Sequence, residues 1–327
     1  MVGRIAKDRK QRVVLNGENS EWVEVTSGVP QGSVLGPILF IIYINDIDTD
    51  IVNRFWKFAD DSKMVGKVGT GLERSQMITD LETLLQWSDL WQMPLNISKC
   101  KVMHIGKTNP CNTYEIKNEK LQVVDEETDL GIIIKNNLKI DSQCAKASKK
   151  GNQILGLIAR TITCKDQAPM KILYKSLVRP KLDYCIQAWR PHLQKDIDLL
   201  EKVQRRATKM IKGFNKLKYE ERLKRLNLTT LETRCLRADL IEVYKIMHGI
   251  DGLKITDFFD LLQGGRTRGH NFKIFKKAFR TNKKKYSFSN RVIERWNLLP
   301  EGMVSAININ SFKNLLDHHL RQVWGFT

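Results

Sequence analysis

Apolar and polar positions change over in two different rhythms along the chain. Up to about residue 135 they alternate in short runs, as strands require. Gln11 to Leu15 and Glu21 to Val25 read as strands, with Asn16-Gly17 supplying the turn between them. A loop crowded with glycine and proline, 27–37, leads into the apolar run Ile38 to Ile44, which reads as a helix ending near Asp46. Arg54 to Ala59 and Lys63 to Val68 read as two strands joined through Asp60-Asp61-Ser62. Positions 81, 84, 85, 88 and 91 keep nearly helical spacing, so Leu72 to Trp91 is expected to be a helix. Short strands are expected at 101–105, 114–116, 121–124 and 129–134. Beyond about residue 140 the rhythm becomes helical, over Ile140–Arg160, Lys165–Val178, Asp196–Ile211 and Tyr219–Leu226. Thr229-Thr230-Leu231-Glu232 fits a capping box that opens a helix to about His248, where Gly249 ends it. A Gly/Arg/Lys-rich stretch, Gly264 to Lys285, precedes a last pair of helices near 288–298 and 311–323.

Composition narrows this picture. Hydrophobic residues at 42% and charged residues at 28% are ordinary globular values, which exclude wholesale disorder and a collagen repeat over the 327 residues. The longest apolar run is far short of the roughly 20 residues that span a bilayer. Six scattered cysteines contain no CxxC pair, so they read as reduced thiols rather than a zinc site. The net charge of +19 points to a polyanionic partner, nucleic acid before membrane. The excess is concentrated: residues 200–327 hold 27 Lys and Arg against 12 Asp and Glu. Lys202, Arg205, Arg206 and Lys209 follow i, i+3, i+4, i+7 spacing and share one helix face, as contacts along a nucleic-acid backbone require. Phe272, Phe275, Phe279, Tyr286 and Phe288 interleave with lysines at 273, 276, 277 and 283–285. They either stack on bases or pack a small core while the lysines face water.

Candidate chemistry centres on two segments. Asp60-Asp61 is a carboxylate pair at a hairpin turn, able to offer oxygen ligands to a divalent cation shared with substrate phosphates. The glycines of the 27–37 loop permit close backbone approach to a phosphate, and the helix behind it presents its positive end. Either feature alone is an ordinary turn or connection.

Together they carry a resemblance. Ser27 to Pro37, SGVPQGSVLGP, followed by Phe58-Ala59-Asp60-Asp61, FADD, resembles the reverse transcriptases of non-LTR (LINE) retrotransposons, in particular the jockey-like and chicken-repeat-like groups. Further blocks follow in family order over nearly the whole chain. They are Trp91 with Asn96 to Cys100, Asp129 to Ile132, Leu177 to Cys185, Glu201 to Thr208, Arg266 to His270, and Asn310 to Lys313. The resemblance implies Mg²⁺ (or Mn²⁺) as cofactor, with Asp60 as a metal ligand and Asp61 as a second ligand or a supporting charge. It implies that Gln31, Gly32 and Ser33 line the nucleotide and template pocket. Leu130 and Gly131 would form a primer-grip hairpin. Lys99 matches a lysine proposed to assist the pyrophosphate leaving group, and reads equally well as a surface lysine at a strand start. Phe58 reads as a core anchor.

The implied architecture is α+β. A partial right-hand polymerase palm is expected over residues 1–135, a helical thumb-like region over 136–215, and a basic, mostly helical extension over 216–327. The implied partners are an RNA template, a DNA primer and dNTPs, with no membrane, and the implied location is intracellular, in the nucleus and/or the cytoplasm. Enzymes of this family also use a third carboxylate, from a segment resembling FDxxxAFD ahead of the SGVPQG loop. Nothing from Met1 to Ser27 has that pattern, so the expectation is an N-terminally truncated frame whose own catalysis is impaired. The alternative is a non-catalytic nucleic-acid-binding protein derived from a retroelement.

Overall fold

The computed structural model describes residues 9–26, 28, 32–262 and 269–322. It divides into two compact units, Met1–Asp125 and Glu126–Thr327. Both helices and strands are present, an α+β composition.

The first unit is built from paired strands around two helices. β1 (Lys10–Gln11) pairs antiparallel with β4 (Val23–Glu24), and β2 (Val14–Leu15) with β3 (Glu18–Asn19). The β2–β3 turn is Asn16-Gly17, with φ of 52° and 91°. Both residues are left-handed, the conformation that Asn-Gly adopts most readily. The apolar run becomes α1 (Leu35–Tyr43), and β5 (Arg54–Phe58) pairs antiparallel with β6 (Asp61–Val65). Next comes α2 (Gly71–Leu90), which opens with a full capping box between Thr70 and Glu73. A 3₁₀ turn (Ile97–Lys99) and short strands complete the unit: β7 (Lys101–Val102), β8 (Glu115–Ile116), β9 (Glu119–Lys120) and β10 (Gln122–Val123). β7 and β10 are parallel, and β8 and β9 antiparallel. The core here is thin. Tyr114, Ile116 and Leu121 are buried, with Met77, Leu81 and Leu85 of α2 packed against them. Much of the remaining apolar surface is open, with Ile42 66% and Trp56 47% exposed.

The second unit begins with the hairpin β11 (Glu126–Asp129) and β12 (Ile132–Lys135), which turns at Leu130-Gly131 with φ of 45° and 87°. The strand expected at 129–134 is therefore the tip and return of this hairpin. The helices follow: α3 (Asp141–Thr161), α4 (Gln167–Leu173), a π turn (Tyr174–Val178), α5 (Arg179–Asp183), α6 (Ile186–Trp189), α7 (Gln194–Lys209), α8 (Tyr219–Leu226) and α9 (Leu231–Met247). Short helices α10 (Ile255–Phe258), α11 (Asn282–Lys285), α12 (Phe288–Arg291), α13 (Ile293–Asn297) and α14 (Glu301–Val304) lead to α15 (Ile309–Gln322). The cap of α9 is Thr230, whose hydroxyl accepts from the Thr233 amide at 3.2 Å, one residue later than the box expected at Thr229. Gly249 does end that helix, with φ 63°.

Two dense cores fill this unit. Leu155, Val178, Leu182, Ile186 and Val203 lie in the first, and Leu240, Val243, Val292, Trp296, Phe312 and Leu316 in the second. They meet within α9, whose Cys235 belongs to one and Leu236 to the other. Gly151 of α3 sits at a close approach, since a Cβ there would lie 3.0 Å from side-chain atoms of both Leu182 and Val203, which would have to give way. Asp239, fully buried, joins elements from both sides of α9. It accepts from Arg190 at 2.9 Å and from Arg291 at 2.8 and 2.9 Å.

Candidate active site and nucleic-acid face

β5 and β6 are in register from Arg54↔Val65 to Phe58↔Asp61, which leaves a two-residue turn, Ala59-Asp60. The turn is thus tighter than the sequence suggested, and Asp61 already belongs to the returning strand. Ala59 has φ 51° while Asp60 does not share the left-handed region, the pattern of a turn that favours glycine at its first central position. An alanine there costs about 1–2 kcal/mol of backbone strain. That strain sits next to the two candidate metal ligands.

Strand alternation sorts the hairpin into two faces. Phe55, Lys57 and Met64 lie on the partly covered face, and Arg54, Trp56, Phe58, Asp61 and Lys63 on the open one. Phe58 is 65% exposed, so the expectation of a core anchor is corrected. Alternation from Phe55, which packs inward, forces Phe58 outward. Asp60 and Asp61 are both exposed.

Residues not singled out in the sequence hold this hairpin in place. The Lys57 ammonium donates to the Asn45 carbonyl at 2.7 Å and to Asp48 at 2.6 Å, tying β5 to the turn that follows α1. Asp80, fully buried in α2, accepts from the amides of Val52 (3.2 Å) and Asn53 (2.7 Å) and from the side chains of Asn53 and Gln76 (2.8 Å each). Burial alone would raise its pKa, but these donors outweigh it and hold the carboxyl below the usual range. One signal was available: Asp80 falls on the same helical stripe as the buried Leu84 and Ser88.

The loop ahead of α1 is only partly within view. Gln31 lies outside the described residues. Gly32 has φ 78°, a conformation suited to glycine, and nothing stands within 4 Å of where its Cβ would be. Ser33 accepts from the Gly36 amide at 3.0 Å and so steadies the first turn of α1. Lys99 ends the 3₁₀ turn, is exposed, and makes no side-chain hydrogen bond among the described residues.

Among the described residues no third His, Cys, Asp or Glu joins Asp60 and Asp61 in a cluster that could hold a metal. Two exposed carboxylates fit a cation that completes its shell with water and substrate phosphates, as Mg²⁺ commonly does, rather than an all-protein cage.

In the second unit Leu130 and Gly131 form the tip of their hairpin. The tip is held by the Tyr184 hydroxyl on the Leu130 carbonyl (3.3 Å) and the Lys146 ammonium on the Gly131 carbonyl (3.3 Å). On α7, Lys202, Arg205, Arg206 and Lys209 all face water, while Leu200, Val203, Gln204 and Ala207 point inward. The one-face arrangement is therefore present. Arg205 lies over the Tyr219 ring at 4.1 Å, and Arg206 donates to Asn152 at 3.0 Å. Behind them runs a buried polar chain. The Tyr174 hydroxyl donates to Gln204 at 2.5 Å, and Gln204 donates to Glu201 (3.1 Å), Tyr219 (2.8 Å) and the Thr229 carbonyl (2.9 Å). Glu201 also accepts from the Leu231 amide at 2.9 Å and from the Tyr219 hydroxyl. Burial pushes the pKa of Glu201 upward despite these donors.

The aromatic and basic segment resolves mostly toward packing. Phe272 and Phe288 pack against the second core, Lys276 and Lys277 pair with Glu294 and Asp260, and Phe275 remains exposed. Of the Arg266–His270 block, Arg266, Thr267 and Arg268 lie outside the described residues, and His270 is buried against the Trp296 carbonyl. No helix among the described residues is long and apolar enough to cross a membrane.

Comparison with known proteins bears on the same residues. Residues 5–158, which include the 27–37 loop and the Asp60-Asp61 turn, match the family "Reverse transcriptase (RNA-dependent DNA polymerase)". The chain is 24% identical over 227 residues to the RNA-directed DNA polymerase from mobile element jockey of Drosophila melanogaster, covering 64% of this chain and 25% of that protein. It is 26% identical over 217 residues to the corresponding polymerase of Drosophila funebris, covering 61% and 24%. It is 22% identical over 200 residues to the probable RNA-directed DNA polymerase from transposon X-element of Drosophila melanogaster, covering 58% and 22%. The chain thus spans about a quarter of the length of the curated relatives it matches. No solved structure matches it significantly. The loop, the carboxylate turn and these matches agree: residues 5–158 carry a reverse transcriptase match, and the chain is similar to the RNA-directed DNA polymerases of the jockey and X-element mobile elements.

Proposed function

We propose that the chain supplies the carboxylate turn and the nucleic-acid-gripping helices of an RNA-directed DNA polymerase. The observation that carries the reading is the strained, exposed Ala59-Asp60-Asp61 turn within the residues that match the family. Asp60 and Asp61 would hold Mg²⁺ (or Mn²⁺), which stabilises charge on the attacking and leaving oxygens of phosphoryl transfer. The chain's own part is positional. Lys57 and Asp80 fix the hairpin, and the open face of β5–β6 presents both carboxylates beside Phe58 and Lys63. Gln31, Gly32 and Ser33 line the approach of nucleotide and template, and Lys99 offers a cation to the departing pyrophosphate. Leu130 and Gly131 support the primer end, while Lys202, Arg205, Arg206 and Lys209 track backbone phosphates. In polymerase terms residues 1–135 are part of a palm, 136–215 thumb-like, and 216–327 a basic extension. An RNA template, a DNA primer and dNTPs are the partners, inside the cell, in the nucleus and/or the cytoplasm.

One observation favours a second reading, a nucleic-acid-binding protein without catalysis: no third acidic group joins Asp60 and Asp61 among the described residues. Primer extension on poly(rA)/oligo(dT) with Mg²⁺ or Mn²⁺ separates the two. The polymerase reading expects weak dNTP incorporation that falls roughly 100-fold or more in Asp60→Ala, since a lost metal ligand removes several kcal/mol of transition-state stabilisation. Incorporation indifferent to Asp60→Ala contradicts the assigned site. Tight hybrid binding with no incorporation supports the second reading.

A further inference from the structure

The helical unit contains a guanidinium that neither the carboxylate turn nor the α7 face uses. At Tyr174 the chain leaves α4 through the π turn Tyr174–Val178, and this turn delivers Arg179 to the first position of α5. π turns inside helices are rare and are found frequently at functional sites. Tyr174 and Val178 are buried by the turn, while Arg179 is left half-buried at the rim.

Its surroundings are cationic. Asp183, one turn further on, is occupied by Arg234 of α9, which donates from Nε at 3.0 Å and from Nη2 at 2.6 Å. Asp317 is occupied by Arg237. Three guanidiniums therefore share two carboxylates, and among the described residues Arg179 makes no hydrogen bond or ion pair. Burial first, and then the neighbouring charge of Arg234, hold its pKa below the usual arginine range. The Asp183 charge offsets this only in part and from beyond ion-pair distance, so an anion arriving from outside would relieve the remaining cost.

We propose that Arg179, backed by Arg234 and Arg237, forms a phosphate-binding notch that takes a phosphodiester group of the bound nucleic acid. The planar guanidinium matches two phosphate oxygens at once, and three arginines against two carboxylates leave one positive charge in excess, which favours an anion. The nucleic-acid source of that phosphate rests on the functional reading above.

The full-length chain tests this in two arms, with wild type, Arg179→Ala and Arg179→Lys compared. In the first, fluorescence anisotropy follows a labelled RNA/DNA hybrid across about 50 to 200 mM salt. Arg179→Ala is expected to bind about fivefold to tenfold more weakly, with the slope of log K against log salt smaller by about one. Arg179→Lys keeps the slope and recovers only part of the affinity, because an ammonium cannot make the two-pronged contact. Wild-type affinity and slope in both variants overturn the notch, and if Arg179→Ala does not fold, the partial loss in Arg179→Lys decides. In the second arm, inorganic phosphate replaces chloride at equal ionic strength while thermal unfolding is followed. Phosphate is expected to raise the midpoint of wild type more than that of Arg179→Ala, whose smaller rise reflects the α7 cations and the general stabilising action of phosphate; an equal rise in both overturns the notch. A phosphate response larger in wild type, without hybrid binding by any form, supports the notch as an anion site and overturns the nucleic-acid reading instead.

Discussion

Asp80 and Glu201 are both carboxylates withdrawn from water, one in each compact unit, and they are held in opposite ways. Asp80 collects backbone and side-chain donors that outweigh its burial, so its charged form is the stable one. Glu201 sits deep in a polar chain with Tyr174, Gln204 and Tyr219, and there burial wins. The contrast extends to the units themselves. The first, which carries Asp60 and Asp61, has a thin core and leaves Ile42, Trp56 and Phe58 open. The second, which carries the α7 cations, has two dense cores. On the proposed function, a thin, open frame leaves room for a substrate brought from outside. A rigid frame suits a charged face that must keep its spacing along a backbone.

The comparison can be strained hardest in the second unit. Asp239→Ala should leave Arg190 and Arg291 buried without their carboxylate, at a cost of about 3–5 kcal/mol. Segment-resolved hydrogen exchange on the full chain would show lost protection across α9, α12 and α13. Unchanged protection there would mean that the buried pairs do not couple the two cores.

A middle-sized effect is expected in the first unit. Asp80→Asn removes the charge that four donors solvate and should cost about 1–3 kcal/mol, read as faster exchange in 52–65. The pH dependence gives a sharper version. The folded pKa of Asp80 lies below its unfolded value of 3.8, so its contribution is complete above that value and is lost as pH falls through the folded pKa. Glu201 runs the other way. Its folded pKa lies above 4.5, so its contribution is complete below that value and is lost as pH rises through the folded pKa. Acidification toward pH 4 should therefore firm exchange around α7, with loss around β5 beginning only below that range. Parallel weakening of both would contradict the opposed settings of the two carboxylates.

Ala59→Gly should have the smallest effect. Relief of about 1–2 kcal/mol of left-handed strain is partly offset by the entropy glycine loses on folding, leaving a gain of about 0.5–1 kcal/mol in the hairpin. Slower exchange in β5 and β6 would register it; faster exchange would show that the turn is not strained.

What was legible in the sequence follows from how local each feature is. The Asn16-Gly17 turn and the α7 face rest on neighbours in the chain, and each is present; at Leu130-Gly131 the periodicity predicts a strand over 129–134, and only the family resemblance implies the hairpin found there. The exact turn at Ala59-Asp60 and the outward face of Phe58 depend on strand register, which a pair of adjacent carboxylates does not reveal. Asp80 meets Asn53 across 27 residues, and Glu201 meets Leu231 across 30. Contacts of that span leave only a faint trace, a polar residue on an otherwise apolar stripe. Arg179 was visible as part of a family block, but its lack of a partner depends on Arg234 and Arg237 having taken the available carboxylates.

The central claim is that chemistry and grip are divided between the two units. Hybrid binding measured across about 50 to 200 mM salt, for wild type, for Asp60→Ala, and for the combined Lys202, Arg205, Arg206 and Lys209→Ala variant, tests it most directly. The account predicts that Asp60→Ala binds as wild type does. It predicts that the combined variant loses affinity, with the salt slope reduced by about three to four, one for each phosphate contact removed. A weakened Asp60→Ala beside an α7 variant of unchanged slope would contradict it.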